Sequence, residues 1–133
     1  MKTLLGAFFA LLLLTSGAWA QAYCPNNSPT TTVVAATTYT IGQRDRCNII
    51  VFTSSSAIAV SLPGPGTAGG FTGNFNMAIF ALGTGTVTIT PQPYPTGGTT
   101  PLINGAATAT VTTGTARTIL LGTDGNWYAP PGV

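Results

Sequence analysis

Short runs of β-branched and aromatic residues, separated by turn residues at even intervals, constrain the fold of this chain more than any other feature. After residue 20, Thr, Val, Ile and Tyr dominate these runs, and Gly, Pro, Asn or Asp interrupts them about every 8–12 residues. No stretch there has apolar residues at helical spacing without Gly, Pro or β-branched residues. We therefore predict an all-β protein, a single β-sandwich or jelly-roll-like domain of about eight short antiparallel strands.

The clearest strand predictions fall on segments 47–53, 57–62, 75–82, 86–90, 108–112, 117–121 and 126–128. Segments 31–35 and 38–41 predict a further short strand or pair. In the second of these, Ile58, Val60 and Leu62 alternate with small residues, which predicts one buried face. The continuous apolar run 49–52 predicts a strand buried on both faces. Gly83-Thr84-Gly85 predicts a hairpin turn, Asn104-Gly105 predicts a tight turn, and Asp124-Gly125 predicts a type I′ turn.

The first 20 residues have the pattern of a cleavable secretory signal helix. Lys2 precedes an apolar run from Leu4 to Leu14, and Ala18-Trp19-Ala20 forms an A-x-A cleavage pattern. The run is too short for the roughly 20 residues that cross a bilayer, although an uncleaved anchor remains the alternative. We expect segments 1–20 (signal peptide), 21–38 (irregular) and 39–133 (β-domain). The exported product would be secreted, periplasmic or on the cell surface, bacterial or phage-encoded, with no membrane contact after cleavage.

Two cysteines, Cys24 and Cys47, remain after that cleavage. In an oxidising compartment they predict a disulfide that ties the irregular segment to the first clear strand. Closing a loop of this length stabilises a fold by about 3 kcal/mol. Two buried free thiols are the alternative. A metal site is disfavoured, since two cysteines without His cannot complete a tetrahedral shell.

Charge is almost absent, which restricts the chemistry available to the protein. After residue 20 there is no His, Glu or Lys, and the charged residues are Arg44, Asp45, Arg46, Arg117 and Asp124. General acid–base catalysis and nucleophile activation draw on the missing types. We therefore expect no enzymatic activity and no cofactor. A basic patch for nucleic acid is also missing, and low charge favours packing against other copies.

Arg44 and Arg46 flank Asp45 and form the only charge cluster. They are candidate contacts for an anionic ligand, but a solvated turn in which Asp45 bonds local amides is the favoured interpretation. The second candidate ligand site consists of Tyr94, Trp127 and Tyr128, whose rings could stack on sugars. Trp127 is more typical of an aromatic that covers the end of a core.

The order of these segments resembles the small β-domains of bacteriophage tail-fibre, spike and head-fibre proteins. The resemblance rests on CNIIVFT, AIAVSLP and a Gly-rich loop, followed by NMAIFALGTGTVTITP, ING, TATVTTG and RTILLGTDGNW. It covers residues 39 to 128 and implies a structural or adhesive module, commonly oligomeric, with no catalytic residues.

Two functions remain open at this point. The first is an exported, non-enzymatic structural or adhesive module that forms a homo-oligomer or a larger assembly. Because no Lys protects the strand edges after residue 20, those edges are either covered by the fold or bound to another copy. The second is a secreted carbohydrate-binding module that contacts a cell-surface glycan through exposed aromatic residues.

Overall fold

The computed structural model describes residues 29–65, 71, 75–95, 97 and 99–130. These residues form nine strands and a 3₁₀ turn at Gln43–Asp45. The strands are β1 (Thr31–Val34), β2 (Thr38–Thr40), β3 (Ile49–Phe52), β4 (Ile58–Leu62), β5 (Asn76–Ala81), β6 (Val87–Pro91), β7 (Ala109–Val111), β8 (Ala116–Leu121) and β9 (Trp127–Tyr128). The all-β prediction is confirmed. β1 and β2 coincide with the strands predicted at 31–35 and 38–41, so the expectation that all of 21–38 is irregular is wrong for β1.

The strands form two sheets, and the chain alternates between them along β1 to β6. The five-stranded sheet has the order β1-β3-β5-β8-β9, and the four-stranded sheet has the order β2-β4-β6-β7. Each of β3 to β6 pairs in parallel with the strand two places earlier. The expectation of antiparallel strands throughout is therefore wrong for this half, and it holds only for the pairings of β7, β8 and β9.

The crossings between the sheets explain this difference. Gly83-Thr84-Gly85 does not form the expected hairpin, because it joins β5 in one sheet to β6 in the other. The Gly85 N–H donates to the Ser54 carbonyl at 3.1 Å. The segment that joins β5 to β6 therefore packs on the segment that joins β3 to β4. A Cβ on Gly85 would overlap the carbonyl oxygen of Ser56. The two glycines thus allow the two connecting segments to pack closely. Glycines in a hairpin turn would give the same sequence pattern, so the sequence alone does not distinguish the two cases.

Two glycine turns occur where the sequence predicts them. Asn104 and Gly105 both have positive φ, 50° and 81°, as a type I′ turn requires. The turn between β8 and β9 is confirmed as a hairpin, but it is not type I′. Only Gly125 has positive φ there, and its N–H donates to the Gly122 carbonyl at 3.2 Å. This is a type I turn followed by a left-handed glycine.

Residues of both sheets contribute to one hydrophobic core. Ile50, Ile79 and Ile119 enter it from the five-stranded sheet, and Val60 and Ile89 enter it from the four-stranded sheet. The predicted alternation in 57–62 is confirmed, since the even-numbered residues of β4 are buried. The residues that alternate with these buried ones lie on the outer faces of the two sheets.

Candidate contact surface

The outer face of the five-stranded sheet is largely apolar and carries no charged residue in its described rows, and we call it the apolar face. Burial alternates along β3, β5 and β8, so every second residue points away from the core. The register aligns these residues in rows across the sheet. The rows are Val33–Val51–Phe80–Ala116, Thr31–Ile49–Ala78–Thr118 and Asn76–Leu120–Tyr128.

No charged side chain occurs in these three rows of described residues. Val33 is 66% exposed, Tyr128 42% and Leu120 36%. Strands about 4.8 Å apart, and rows about 7 Å apart, give the face an area on the order of 400 Å². The largest apolar patch on a typical monomer covers about 300–600 Å² and is often functional. The apolar face is therefore the strongest candidate for a contact surface in the described part of the chain.

The expectation that segment 49–52 is buried on both faces is wrong. Ile50 and Phe52 are buried in the core, whereas Ile49 and Val51 are only half-buried on the apolar face. Parallel strands with continuous apolar sequences usually have both faces covered. The continuous apolar run is thus a sequence signal for this surface, because Ile49 and Val51 are apolar although they do not enter the core.

A shallow hollow of about 230 Å³ lies at one end of the apolar face. Its apolar lining includes Ile49 and Ala78 from the central strands, with Pro29, Cys47 and Thr118 around them. A hollow in an otherwise continuous sheet face offers a place for a side chain of a docked partner.

The outer face of the four-stranded sheet has different chemistry. Its register places Thr38, Ala59, Thr88 and Thr110 in one row, and hydroxyl residues dominate the next row as well. Thr88 is half-exposed at the centre of this face. The two outer faces therefore differ in chemistry, since one is apolar and the other is hydroxyl-rich. Equivalent substitutions on the two faces can be compared.

Tyr94 and Tyr128, two of the predicted ligand residues, meet at the turn between β8 and β9. The Tyr128 hydroxyl donates to Asp124 Oδ2 at 2.9 Å, and the Tyr94 hydroxyl lies 3.5 Å from the Gly125 carbonyl oxygen. Hydrogen bonds from Asn126 and Tyr128 lower the pKa of Asp124. The bond to Asp124 raises the pKa of Tyr128. The turn thus holds two tyrosines beside an exposed carboxylate.

Trp127, the third predicted ligand residue, lies in the core and is 0% exposed. Its ring packs edge-on against Phe75 and Phe71, at centroid distances of 5.9 and 6.2 Å. The indole N–H has no hydrogen-bond acceptor in the described part of the chain. Alternation along β9 places Trp127 inward and Tyr128 outward, so sugar stacking would depend on the tyrosines.

The Arg44-Asp45-Arg46 cluster is not a solvated turn. Asp45 is only 1% exposed, and its carboxylate accepts hydrogen bonds from the Tyr39 hydroxyl at 2.9 Å and the Gly42 N–H at 2.8 Å. The turn sequence predicts the local amide bond, but it predicts neither the burial of Asp45 nor the bond from Tyr39. Arg44 is exposed, with its Nε 4.0 Å from Asp45 Oδ1. Burial, followed by the bond to Asp45, raises the pKa of Tyr39.

Arg46 is half-buried in the crossing from β2 to β3. Cys47 follows it, with a φ of 62°, and its N–H donates to the Asn76 carbonyl at 2.7 Å. Cys24 lies outside the described residues, as do the signal segment and its cleavage point. The disulfide between Cys24 and Cys47 therefore stays a prediction.

Comparisons with known proteins give no assignment: no family model, curated protein or solved structure matches this chain. The described residues include no helix long and apolar enough to cross a membrane. They also contain no group of three His, Cys, Asp or Glu residues placed to hold a metal ion. The case for a function consequently rests on the surfaces themselves.

Proposed function

We propose that this protein is an exported, non-enzymatic structural or adhesive module that acts by surface contact, and that the apolar face is its contact surface. The observation that supports the proposal is the composition of that face. It combines half-exposed Ile49, Val51 and Phe80 with exposed Val33, and no charge interrupts it. The largest apolar patch on a monomer is often functional.

The chemistry of the face also indicates how it would act. An uncharged sheet surface has no groups that attract a distant charged partner, so association would depend on removing apolar area from water. The resemblance to phage-fibre domains favours the same class of function. A role in an assembly is consistent with low charge, because the 133-residue chain carries a formal net charge of only +2 and copies repel one another weakly.

Fractionation of the culture that exports the protein tests this function. We expect much of the wild-type protein to sediment with cells or particles. Phe80→Lys on the apolar face should move it into the free soluble fraction. Thr88→Lys is the matched control, since it introduces the same charge at a half-exposed, central strand position of the other sheet. Equal solubility of all three proteins, with none bound, would contradict the proposal.

Carbohydrate binding is the second candidate, supported by the meeting of Tyr94 and Tyr128 at one turn. Their hydroxyls are both held by that turn, which orients the rings, and ordered aromatic rings suit the apolar faces of sugars. A glycan array with the exported protein tests it. Binding that Tyr128→Ala abolishes, and Phe80→Lys leaves unchanged, would favour this site over the apolar face.

A further inference from the structure

We infer that a second copy of this chain covers the apolar face, so that two domains pack with these faces against each other. The inference rests on the proposed function and names the partner of the same surface. It concerns the purified protein alone, with no other component of an assembly required.

Self-complementarity of the face supports a second copy as the partner. Ala78 lies in β5, the middle strand of the five, and in the middle row of the three. A two-fold axis near Ala78 would place the apolar centre of one copy on the apolar centre of the other. Thr31 and Thr118 would then lie towards the margins on both sides. Closed two-fold dimers require this relation, in which one patch matches itself.

Sheet geometry supports the same arrangement. All β-sheets twist with one hand, and two sheets of like twist pack face to face at about 10 Å with their strands nearly aligned. The core of this protein already pairs two such sheets. A second copy supplies a surface with the same twist as the first. A charged partner would gain nothing from this face, because its rows carry no charge.

The chain's own N-terminal segment is a poorer match for the face. Between the expected cleavage point and Pro29 there are eight residues, 21–28. A single extended segment covers about one strand width, roughly 5 Å, whereas the rows of the face span three or four strands. Such a segment would leave most of the rows exposed.

The area of the face predicts a weak dimer. Two copies would bury on the order of 800 Å² together, below the roughly 1,200–2,000 Å² of standard stable interfaces. The dimer should therefore dissociate on dilution through the micromolar range. In an assembly, further contacts would add to this one.

Sedimentation velocity of the purified exported protein, across a micromolar concentration series, tests the inference. We expect the average mass of the wild type to rise from one chain towards two. Phe80→Lys and Val33→Lys should each raise the concentration needed for dimers by at least tenfold, while Thr88→Lys should not. Val33 is the more exposed of the two face residues, so this variant keeps the test valid if Phe80→Lys fails to fold.

Three results would overturn the inference: a wild type that stays monomeric throughout, a dimer that both face variants retain, or a dimer that Thr88→Lys weakens equally. A monomeric protein that nevertheless sediments with cells in the fractionation experiment would refute the second copy but not the contact function. Conversely, a dimer that Phe80→Lys disrupts, but that never binds cells or particles, would support the second copy and refute the contact function.

Discussion

Replacement of Asp45 by alanine should destabilise the fold substantially, although this residue lies in a short turn. The Asp45 carboxylate is buried and accepts hydrogen bonds from the Tyr39 hydroxyl and the Gly42 N–H. The turn joins β2 in one sheet to β3 in the other. The substitution would leave both donors without their acceptor and loosen this crossing.

The magnitude follows from the two hydrogen bonds. A bond to a charged group contributes about 1.5–3 kcal/mol to stability. Both donors belong to half-buried residues, so water can partly replace the carboxylate, and removing a buried charge recovers some desolvation free energy. We therefore take the lower values and expect a loss of about 3 kcal/mol for Asp45→Ala. In a domain of this size that lowers the melting temperature by roughly 10–15 °C.

Urea unfolding of the purified protein measures this loss. Asp124→Ala is the matched control, because it removes the other aspartate from an exposed turn, and we expect a clearly smaller effect. Tyr39→Phe should cost about 1 kcal/mol, since it deletes one hydroxyl donor and keeps the edge-on packing against Phe52. A double-mutant cycle between Asp45→Asn and Tyr39→Phe should show coupling.

An Asp45→Ala variant that is no less stable than Asp124→Ala would show that the buried carboxylate does not stabilise this crossing. Absence of coupling in the cycle would separately refute the assigned hydrogen bond between Tyr39 and Asp45. A large effect of Asp45→Ala with no effect of Tyr39→Phe would place the stabilisation in the bond to the Gly42 N–H alone.

Two further predictions concern the turn after β8 and the cysteines. The pKa of Asp124 lies below its ordinary value because Asn126 and Tyr128 donate hydrogen bonds to it. The contribution of Asp124 to stability is therefore present above the pKa of an unfolded Asp and is lost as the pH falls through the lowered folded pKa. In urea unfolding, the free energies of wild type and Asp124→Asn should differ at neutral pH and converge in strong acid. A difference that stays constant with pH would contradict this. For the predicted disulfide, peptide mapping without reductant should recover Cys24 and Cys47 in one linked fragment, whereas two alkylated thiols would exclude it.

Local residue patterns are sufficient to predict the all-β class, the approximate position of most strands and the two glycine turns. Apolar residues that alternate with period two indicate which side chains share a face of a strand. This pattern depends only on residues that are close in sequence. Ile58, Val60 and Leu62 could therefore be assigned to the core before any partner strand was known. Asn104-Gly105 could be assigned to a turn because few residue pairs adopt positive φ at both positions.

Tertiary structure alone decided strand direction, sheet membership and the environment of individual side chains. Parallel and antiparallel strands can share the same alternation, so the crossing at Gly83-Thr84-Gly85 could be mistaken for a hairpin. The burial of Asp45 depends on Tyr39, which the turn sequence does not specify. Likewise, Val51 and Phe80 are hydrophobic in any fold, but only the register of β3 on β5 aligns them on one outer face. Such contacts join residues distant in sequence, and local patterns do not encode them.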